Sequence, residues 1–549
     1  MKGDFARITF DPRLHFSQVL HQQGRVLLEA DWNEQGAIQL HLLRSLIVDL
    51  VGHCWAAGSG FQLRQDNPNG TQWPLKDWRL SPGHFYVDGL LCENDIECTL
   101  ATQPHRPTPD GGADGGHGFE NPPDRFVLYL DAWERHLSGL EAPALLDLAL
   151  EGVDTASRAQ VVWQIRMLDI DAAVGICEQA IAAMRLRDDV PASAQELLDP
   201  DFDVRQKIEE LFDALGDGDE RPRTEVCHDL RILLTLRNRF AYPRLKASLD
   251  AIDVEDDPCI IAPDARYRGC ENQLYRVEIH SGGLAMDGEE RAATFKWSRE
   301  NGSVVFPIVS APVATGVPAA SGGTDYTLGL GHLGRDARLG LSTGDWVELG
   351  DDAVTLGQRS RPLLKVVAVN AAQRRVTLNV PAAYASFVPT VDMSRHPLLR
   401  RWDQRENVAG DGTLDVFEGD DGIELEDGVT IAFMPGGLYA PGDHWTIAAR
   451  SSGGGSLDWP MEGGEPLAIA AKGAHHYAAL GGAGHDGEYL ECACRVTALC
   501  DQPETTRVPT RRSSFLLGDG RHAPGGDSRA VSSKPKPTGG TRVRKKPTR

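Results

Sequence analysis

The apolar pattern of residues 34–51 constrains the fold more strongly than any other stretch of the sequence. We predict a helix over this range, preceded by extended segments over residues 1–33 with a turn near Gly24. Apolar side chains would cover about half of the helix circumference. So wide a face predicts burial on more than one side, either between two layers of the same domain, which is the commoner outcome, or in an assembly interface. The central line of this face consists of Ile38, Leu42, Leu46 and Leu50.

The start of the sequence has neither a basic segment nor an uninterrupted apolar stretch of the kind that directs secretion. We therefore expect cytoplasmic synthesis without a signal peptide. No run of about eighteen apolar residues occurs elsewhere, so we expect no membrane span.

The ten cysteines are scattered along 549 residues, a length that predicts two to four domains or one domain with insertions. Cys492 and Cys494 are separated by one residue, whereas zinc-binding pairs are separated by two to four. Reduced thiols are the expectation for a protein made in the cytoplasm. Bridges between Cys92 and Cys98, and between Cys259 and Cys270, remain open alternatives.

Charge is distributed unevenly along the chain, whose formal net charge is −23. Residues 518–549 contain nine Lys or Arg and two Asp, a net charge of +7, so the remainder carries −30. An acidic body repels nucleic acid and anionic membranes, which argues against a nucleic-acid enzyme. Residues 501–549 are predicted to form a disordered basic tail that binds polyanions, docks onto an acidic partner surface or has no function. We expect a protein truncated after Leu517 to keep its melting temperature.

The pattern of apolar residues and turns predicts a β-rich α+β fold, with several small antiparallel β modules of sandwich or barrel type. An N-terminal helix and a helical insertion complete it. The predicted segments are an N-terminal region at 1–60, a β-rich region at 61–168, the helical insertion at 169–250, a β-hairpin region at 251–335, small β modules at 336–500 and the tail at 501–549.

Three stretches make the β prediction specific. Residues 274–280 alternate apolar and polar side chains, which is typical of a half-buried strand. Asn301-Gly302 lies between two strand-like runs and predicts a type I′ hairpin turn. Three short strands between Gly344 and Val380 favour a small barrel or sandwich. The glycine-rich stretch 110–118 predicts a linker.

Candidate chemistry is limited to two places. Asp131, Glu134 and His136 could form an acid–base group, with Trp133 as a sugar platform. The commoner alternative is a strand whose charged groups form ion pairs. In that alternative, the expected ion-pair partners of these charged groups are Arg135, Arg158 and Arg166.

The second place is His475-His476. Adjacent strand residues point to opposite faces, so at most one imidazole faces a given site, and a structural role is favoured. No nucleophile elbow, P-loop, dinucleotide fingerprint or zinc-protease helix occurs in the sequence. We therefore expect no catalytic site, no metal site and no cofactor.

Several sequence blocks resemble a bacterial family known only as a domain of unknown function. Members of that family occur with contractile injection systems and related phage-tail-like particles. The similar blocks include Met1-Lys-Gly-Asp-Phe, Thr9-Phe-Asp-Pro, Gln22-Gln-Gly-Arg-Val, Asp31-Trp-Asn-Glu, Trp133-Glu-Arg-His, Glu271-Asn-Gln-Leu-Tyr-Arg-Val-Glu-Ile-His, Phe295-Lys-Trp-Ser-Arg-Glu-Asn-Gly-Ser-Val-Val and His475-His-Tyr.

The resemblance implies a structural or attachment component near a baseplate, fibre or spike of such a particle, released or cell-associated. It implies contacts with other particle proteins or self-association through the N-terminal region. The alternative is a carbohydrate-binding or carbohydrate-cleaving protein that uses Trp73, Trp78 and Trp133 with nearby carboxylates.

Overall fold

The fold was analysed in a computed structural model of the chain. It describes residues 1–65, 74–106, 118–216, 221–249, 266–286, 293–318, 323–358, 360–384, 391–405, 408–452, 455–473, 475–484 and 489–497. The chain divides into two units, Met1–Thr497 and Ala498–Arg549, and every described residue belongs to the first. The predicted tail and residues 110–117 of the glycine-rich stretch lie outside the described residues.

Five helices occur in the described part of the chain. They are α1 (Glu29–Val51), α2 (Ile170–Met184), α3 (Val204–Asp213), α4 (Arg223–Phe240) and α5 (Asp352–Leu356). The strands of the N-terminal half are β1 (Cys54–Ala57), β2 (Leu63–Arg64), β3 (Arg79–Leu80), β4 (Gly83–Val87), β5 (Leu90–Asn94), β6 (Cys98–Thr99), β7 (Phe126–Leu137), β8 (Leu146–Asp147), β9 (Val153–Asp154), β10 (Arg158–Leu168) and β11 (Arg244–Leu249).

The remaining strands follow the helical insertion. They are β12 (Gln273–Ser281), β13 (Thr294–Ser298), β14 (Val305–Pro318), β15 (Thr324–Leu330), β16 (Trp346–Gly350), β17 (Leu363–Asn370), β18 (Arg375–Val380), β19 (Leu398–Trp402), β20 (Leu414–Asp415), β21 (Ile423–Glu426), β22 (Val429–Phe433), β23 (His444–Arg450), β24 (Ser456–Asp458), β25 (Met461–Glu462), β26 (Glu465–Pro466), β27 (Ile469–Ala470), β28 (His476–Ala483), β29 (Tyr489–Glu491) and β30 (Arg495–Val496). The predicted β-rich α+β class is confirmed, with 36% strand and 23% helix.

Two four-stranded sheets, β30-β1-β4-β5 and β10-β7-β28-β29, share one apolar core. Phe85 from the first sheet and Trp163 from the second are buried in it. Helices α2, α3 and α4 cover the other face of the second sheet and form a separate core with it. All three helices lie within the predicted segment 169–250. Asp169 and Asp203 start α2 and α3 because their carboxylates accept bonds from free backbone N–H groups in the first turn.

A second pair of sheets, β20-β13-β12-β23-β24 and β21-β22-β11-β27, encloses an aromatic-rich core. Next to it, β14-β15-β18-β17-β16-β19 close into a six-stranded barrel. The predicted small barrel is therefore confirmed, and the three strands foreseen between Gly344 and Val380 are β16, β17 and β18.

The Asn301-Gly302 turn has the positive φ angles that a type I′ turn needs, 50° and 65°. The hairpin itself is a wrong prediction. Strand β13 pairs with β12 and β20, whereas β14 pairs with β15 and β19. The turn therefore passes the chain from the sandwich into the barrel, because each flanking strand finds a better partner in its own sheet.

Helix α1 begins five residues earlier than predicted and lies on the surface. Ile38 is only 1% exposed, but Leu42, Leu46 and Leu50 are 51%, 54% and 75% exposed. The expectation of burial between two layers of the same domain is therefore wrong. The helix touches the body along a narrow line, where the backbone of Arg44 lies against the β4–β5 turn, and a Cβ on residue 89 would come within 2.6 Å of that backbone.

A disulfide joins Cys227 in α4 to Cys492 just after β29, with Cα atoms 5.4 Å apart. This corrects the expectation of reduced thiols. The two residues are 265 positions apart in sequence and meet only because α4 packs beside β28 and β29. Cys92 and Cys98, one of the pairs left open, are free thiols, and so is Cys270.

Candidate functional site: a charged cavity

A cavity of about 240 Å³ lies where the two sandwiches, the barrel and the first residues of the chain meet. Charged side chains from six different strands line it. They are Glu134 and His136 of β7, Arg276 and Glu278 of β12, Lys296 of β13, Glu348 of β16, Arg400 of β19 and His444 of β23.

The backbone register brings these charges together. Glu278 of β12 lies opposite Lys296 on one side and His444 on the other. In the barrel, Glu348 of β16 lies opposite Arg400 of β19. Cross-strand partners on one face are close neighbours, and Lys296 pairs with Glu278 across its ladder at 3.6 Å.

Strand β12 is buried on both faces, which corrects the prediction of a half-buried strand. Val277 and Ile279 enter the core of the second sandwich. The alternate residues Arg276 and Glu278 are only 3% exposed, because the barrel and residues 1–3 cover the face that would otherwise meet solvent.

Two carboxylates organise the ion pairs. Glu278 pairs with the ammonium of Lys2 at 2.8 Å and with the guanidinium of Arg276 at 2.6 Å. Glu348 accepts Lys296 at 2.6 Å and the indole N–H of Trp402 at 3.0 Å. Each carboxylate therefore has two donors, which offsets much of the cost of burying it.

The N-terminal residues form one wall of the cavity. The Asn301 side-chain amide donates to the carbonyl oxygens of Met1 at 3.0 Å and Gly3 at 2.9 Å. Lys2 reaches Glu278, and its ammonium lies 5.6 Å from the centre of the Trp402 ring. The turn between sandwich and barrel thus also fixes the start of the chain.

Burial and neighbouring charges shift the ionisation of these groups. Burial alone would raise the pKa of Glu348, but Lys296 and Lys2 outweigh it and hold that pKa at about 2. Burial lowers the pKa of Lys2 to about 8 in spite of Glu278, and the nearby Arg400 and Lys296 add to the effect. Burial also lowers the pKa of His136 to about 4, so its imidazole is neutral near pH 7.

The structure brings two of the three predicted acid–base residues, Glu134 and His136, to one cavity and leaves Asp131 outside it. Asp131 points to the other face of β7, where it pairs with His475 at 2.6 Å and Arg166 at 3.6 Å. Glu134 pairs with Arg44 of α1 at 3.0 Å. Glu134 and His136 both line the cavity, whereas Asp131 is not among its lining residues.

Two of the aromatic residues proposed as sugar platforms pack inside the protein and present no open face to a sugar. Trp133 is buried and stacks on His475 with ring centres 4.8 Å apart, and Trp78 is buried in the first sandwich. Trp73 lies outside the described residues. His476 pairs with Asp88 at 3.0 Å, whereas His475 pairs with Asp131, so the adjacent histidines serve different partners.

Sequence reasoning missed most of the cavity. Arg276, Lys296 and Glu348 each alternate with apolar neighbours, and that pattern is typical of a strand face in solvent. No local signal distinguishes such a face from one covered by another module. The missed lining residues are Lys2, Arg276, Glu278, Lys296, Glu348 and Arg400.

A family model described as a family of unknown function, DUF6519, matches residues 1–534. The chain belongs to this family. No curated protein matches it. A solved structure titled "Crystal structure of TssK" shares 10% identity over 76% of this chain and 99% of that chain, with a TM-score of 0.15. A TM-score this low carries no argument about fold or function.

In the described part of this DUF6519 chain, no group of three or more His, Cys, Asp or Glu side chains is placed to hold a metal ion. No helix in that part is both long and apolar enough to cross a bilayer.

Proposed function

We propose that this protein is a structural subunit of a phage-tail-like contractile injection particle and that it assembles through its N-terminal surface. That surface is defined by fourteen exposed large apolar side chains of residues 8–51: Ile8, Leu14, Phe16, Leu20, Val26, Leu27, Leu28, Trp32, Leu40, Leu42, Leu43, Leu46, Leu50 and Val51. This concentration of exposed apolar residues is the observation that carries the proposal.

The extent of the surface suits a stable interface. Its side chains are between 39% and 81% exposed. They offer on the order of 1,000 Å² of apolar area, if a large apolar side chain presents roughly 150 Å² when fully exposed. A standard interface buries about 800 Å² per partner. Single surface hydrophobics need no partner, but fourteen of them within residues 8–51 favour an interaction site.

A second copy of the chain fits the surface by charge. Residues 12–28 are exposed except for Val19 and contain Arg13 and Arg25 but no Asp or Glu. A groove of about 540 Å³ beside α1 is lined by Asp49, Asp88 and Glu134, with Arg44 as its only Lys or Arg. A basic, apolar arm from one copy therefore complements an acidic groove on the next.

The particle assignment rests on the sequence blocks that resemble proteins found with contractile injection systems. It is tested by purifying such particles from the source cell and identifying their subunits by mass spectrometry. Co-purification of this chain with sheath and tube proteins is expected. Its absence from intact particles would exclude the assignment and leave the self-association to be judged separately.

Self-association is tested with Leu42→Asp and Leu46→Asp. Both side chains are about half exposed, so we expect each variant to fold with the wild-type melting temperature. The wild-type mass in light scattering should exceed that of a monomer and rise with concentration, and both variants should be monomeric.

Leu148→Asp is the matched control, because Leu148 is 89% exposed and lies outside the N-terminal surface. It should assemble like the wild type. A wild-type protein that stays monomeric at all concentrations, or Leu42→Asp and Leu46→Asp variants that keep the wild-type mass, would contradict the proposal.

A further inference from the structure

We infer that the charged cavity binds an anionic group, a carboxylate or a phosphate, between Arg400, Lys2 and His136. This inference is independent of the proposed assembly, since the cavity is built from β7, β12, β13, β16, β19 and residues 1–3.

The first argument is charge balance in the buried part of the cavity. Although the whole lining holds five carboxylates and five Lys or Arg side chains, Glu278 and Glu348 themselves face four cations, a local excess of two positive charges. The cations are Lys2, Arg276, Lys296 and Arg400. Lys296 and Arg276 are 2% and 3% exposed, so solvent screens this excess poorly.

The other carboxylates on the cavity wall are already engaged. Glu134 pairs with Arg44, and Asp351 caps α5 by accepting the Val354 N–H at 2.8 Å. Glu141 accepts both the backbone N–H and the hydroxyl of Ser138, at 2.9 and 2.6 Å. Glu134 is therefore offset by Arg44, whereas Asp351 and Glu141 accept only from neutral donors in these contacts and keep their negative charge.

The second argument is the presence of polar groups whose hydrogen-bonding capacity is not fully used. Arg400 donates to the Gly302 carbonyl but makes no ion pair with a described carboxylate. The Nε2 atom of His136 is buried and has no hydrogen-bond partner in the described structure. Leaving a buried polar atom unpaired costs roughly 1–3 kcal/mol, so a site with such atoms gains when a ligand supplies the missing partner.

The third argument is size. A volume of about 240 Å³ is below the ~300–1,000 Å³ of pockets that enclose drug-sized ligands. It accommodates a small anion with a few waters, or the anionic end of a longer molecule. Carboxylate and phosphate oxygens match the guanidinium of Arg400 and the ammonium of Lys2, since both present several charge-assisted donors.

The test uses the full-length protein with inorganic phosphate and with malonate, each compared with chloride at equal ionic strength. Binding is measured by isothermal titration calorimetry and by the unfolding temperature. At least one anion should bind saturably and raise the unfolding temperature, because a ligand that binds only the folded state stabilises it. Binding of phosphate alone, of malonate alone or of both identifies the source of the anionic group, and each supports the inference.

Two variants locate the site. Arg400→Gln removes the guanidinium without an ion pair, and Lys2→Gln removes a half-exposed ammonium at the edge of the cavity. Each should weaken anion binding at least tenfold. The control is Arg375→Gln, which changes an exposed arginine on β18 of the same barrel and should bind like the wild type.

The inference is overturned if neither anion binds the wild type saturably. It is also overturned if the Lys2→Gln variant, which leaves every strand intact, binds with wild-type affinity. Should Arg400→Gln fail to fold, wild-type calorimetry and the Lys2→Gln variant still decide the question.

Discussion

Lys296 shows how far the interior of this protein departs from an apolar core. The side chain is 2% exposed and lies between Glu348 and the face of Trp402, 4.5 Å from the ring centre. A buried ion pair adds little net stability, but removing one partner leaves the other charge uncompensated.

Lys296→Met should therefore lower the free energy of unfolding by about 3–5 kcal/mol, measured by urea denaturation. The double variant Lys296→Met/Glu348→Leu should recover part of the loss, because no lone carboxylate remains. Lys365→Met is the control, since Lys365 is exposed and lies over Trp346 in a similar way. If Lys296→Met and Lys365→Met lower the free energy of unfolding equally, burial of Lys296 does not explain the loss.

His280 predicts a dependence of stability on acid. Burial, helped by Lys296, lowers the pKa of His280 to about 4, whereas the unfolded side chain titrates near 6.5. The folded state therefore holds a neutral ring while the unfolded state gains a proton. The stabilising contribution is present above pH 6.5 and is lost as the pH falls towards 4.

In His280→Leu the free energy of unfolding should fall less between pH 7 and pH 4.5 than in the wild type, by on the order of 1–3 kcal/mol. Denaturant titrations at the two pH values measure the difference. His84→Leu, which changes an exposed histidine of β4, should keep the wild-type pH dependence. If the free energy of unfolding of His280→Leu depends on pH as the wild type does, the ring of His280 is protonated in the folded wild-type protein at the lower pH.

At the scale of secondary-structure elements, the Asn301-Gly302 turn connects three parts of the molecule. It links β13 to β14, it has the predicted turn geometry, and its side-chain amide fixes residues 1–3. One element thus joins a sandwich, a barrel and the cavity wall.

Asn301→Asp should detach the N-terminal residues, because a carboxylate cannot donate to the carbonyl oxygens of Met1 and Gly3. Asp tolerates the positive φ, so the turn itself should persist. Hydrogen exchange of the amides of residues 2–5 should become faster, whereas Asn370→Asp, at the exposed end of β17, should leave it unchanged. Unaltered exchange in Asn301→Asp would show that other contacts hold the segment.

Local pattern predicted the elements that depend on local physics. The fold class, the three helices of the insertion and the barrel strands follow from periodicity and turn residues. The two faces of β12 and the partners of β13 could not be predicted, because they depend on which modules pack together. The same limit applies to the cavity, whose charges come from strands far apart in sequence.

On the scale of the whole molecule, the Cys227–Cys492 disulfide joins the helical layer to the last strands of the first unit. It closes a loop of 265 residues. In the chain-entropy account, a crosslink over so long a loop restricts the unfolded state strongly, although measured effects are usually about 2–4 kcal/mol.

The double variant Cys227→Ser/Cys492→Ser should therefore unfold at a lower denaturant concentration than the wild type. A reducing agent should lower the wild-type midpoint by a similar amount and leave the variant unchanged. Equal midpoints for oxidised wild type, reduced wild type and variant would mean that the bond does not constrain the unfolded chain.

The first sandwich has a further consequence for how the protein is made. Its two sheets contain strands from both ends of the first unit, since β28 pairs with β7 and β30 pairs in parallel with β1. A ribosome releases β1 and β7 more than three hundred residues before these late partners, so one hydrogen-bonding edge of each strand stays unpaired during most of translation. Contacts this distant in sequence fold slowly and leave edges open to aggregation. We therefore expect the open edges of β1 and β7 to be accessible to other chains until synthesis reaches β28 and β30.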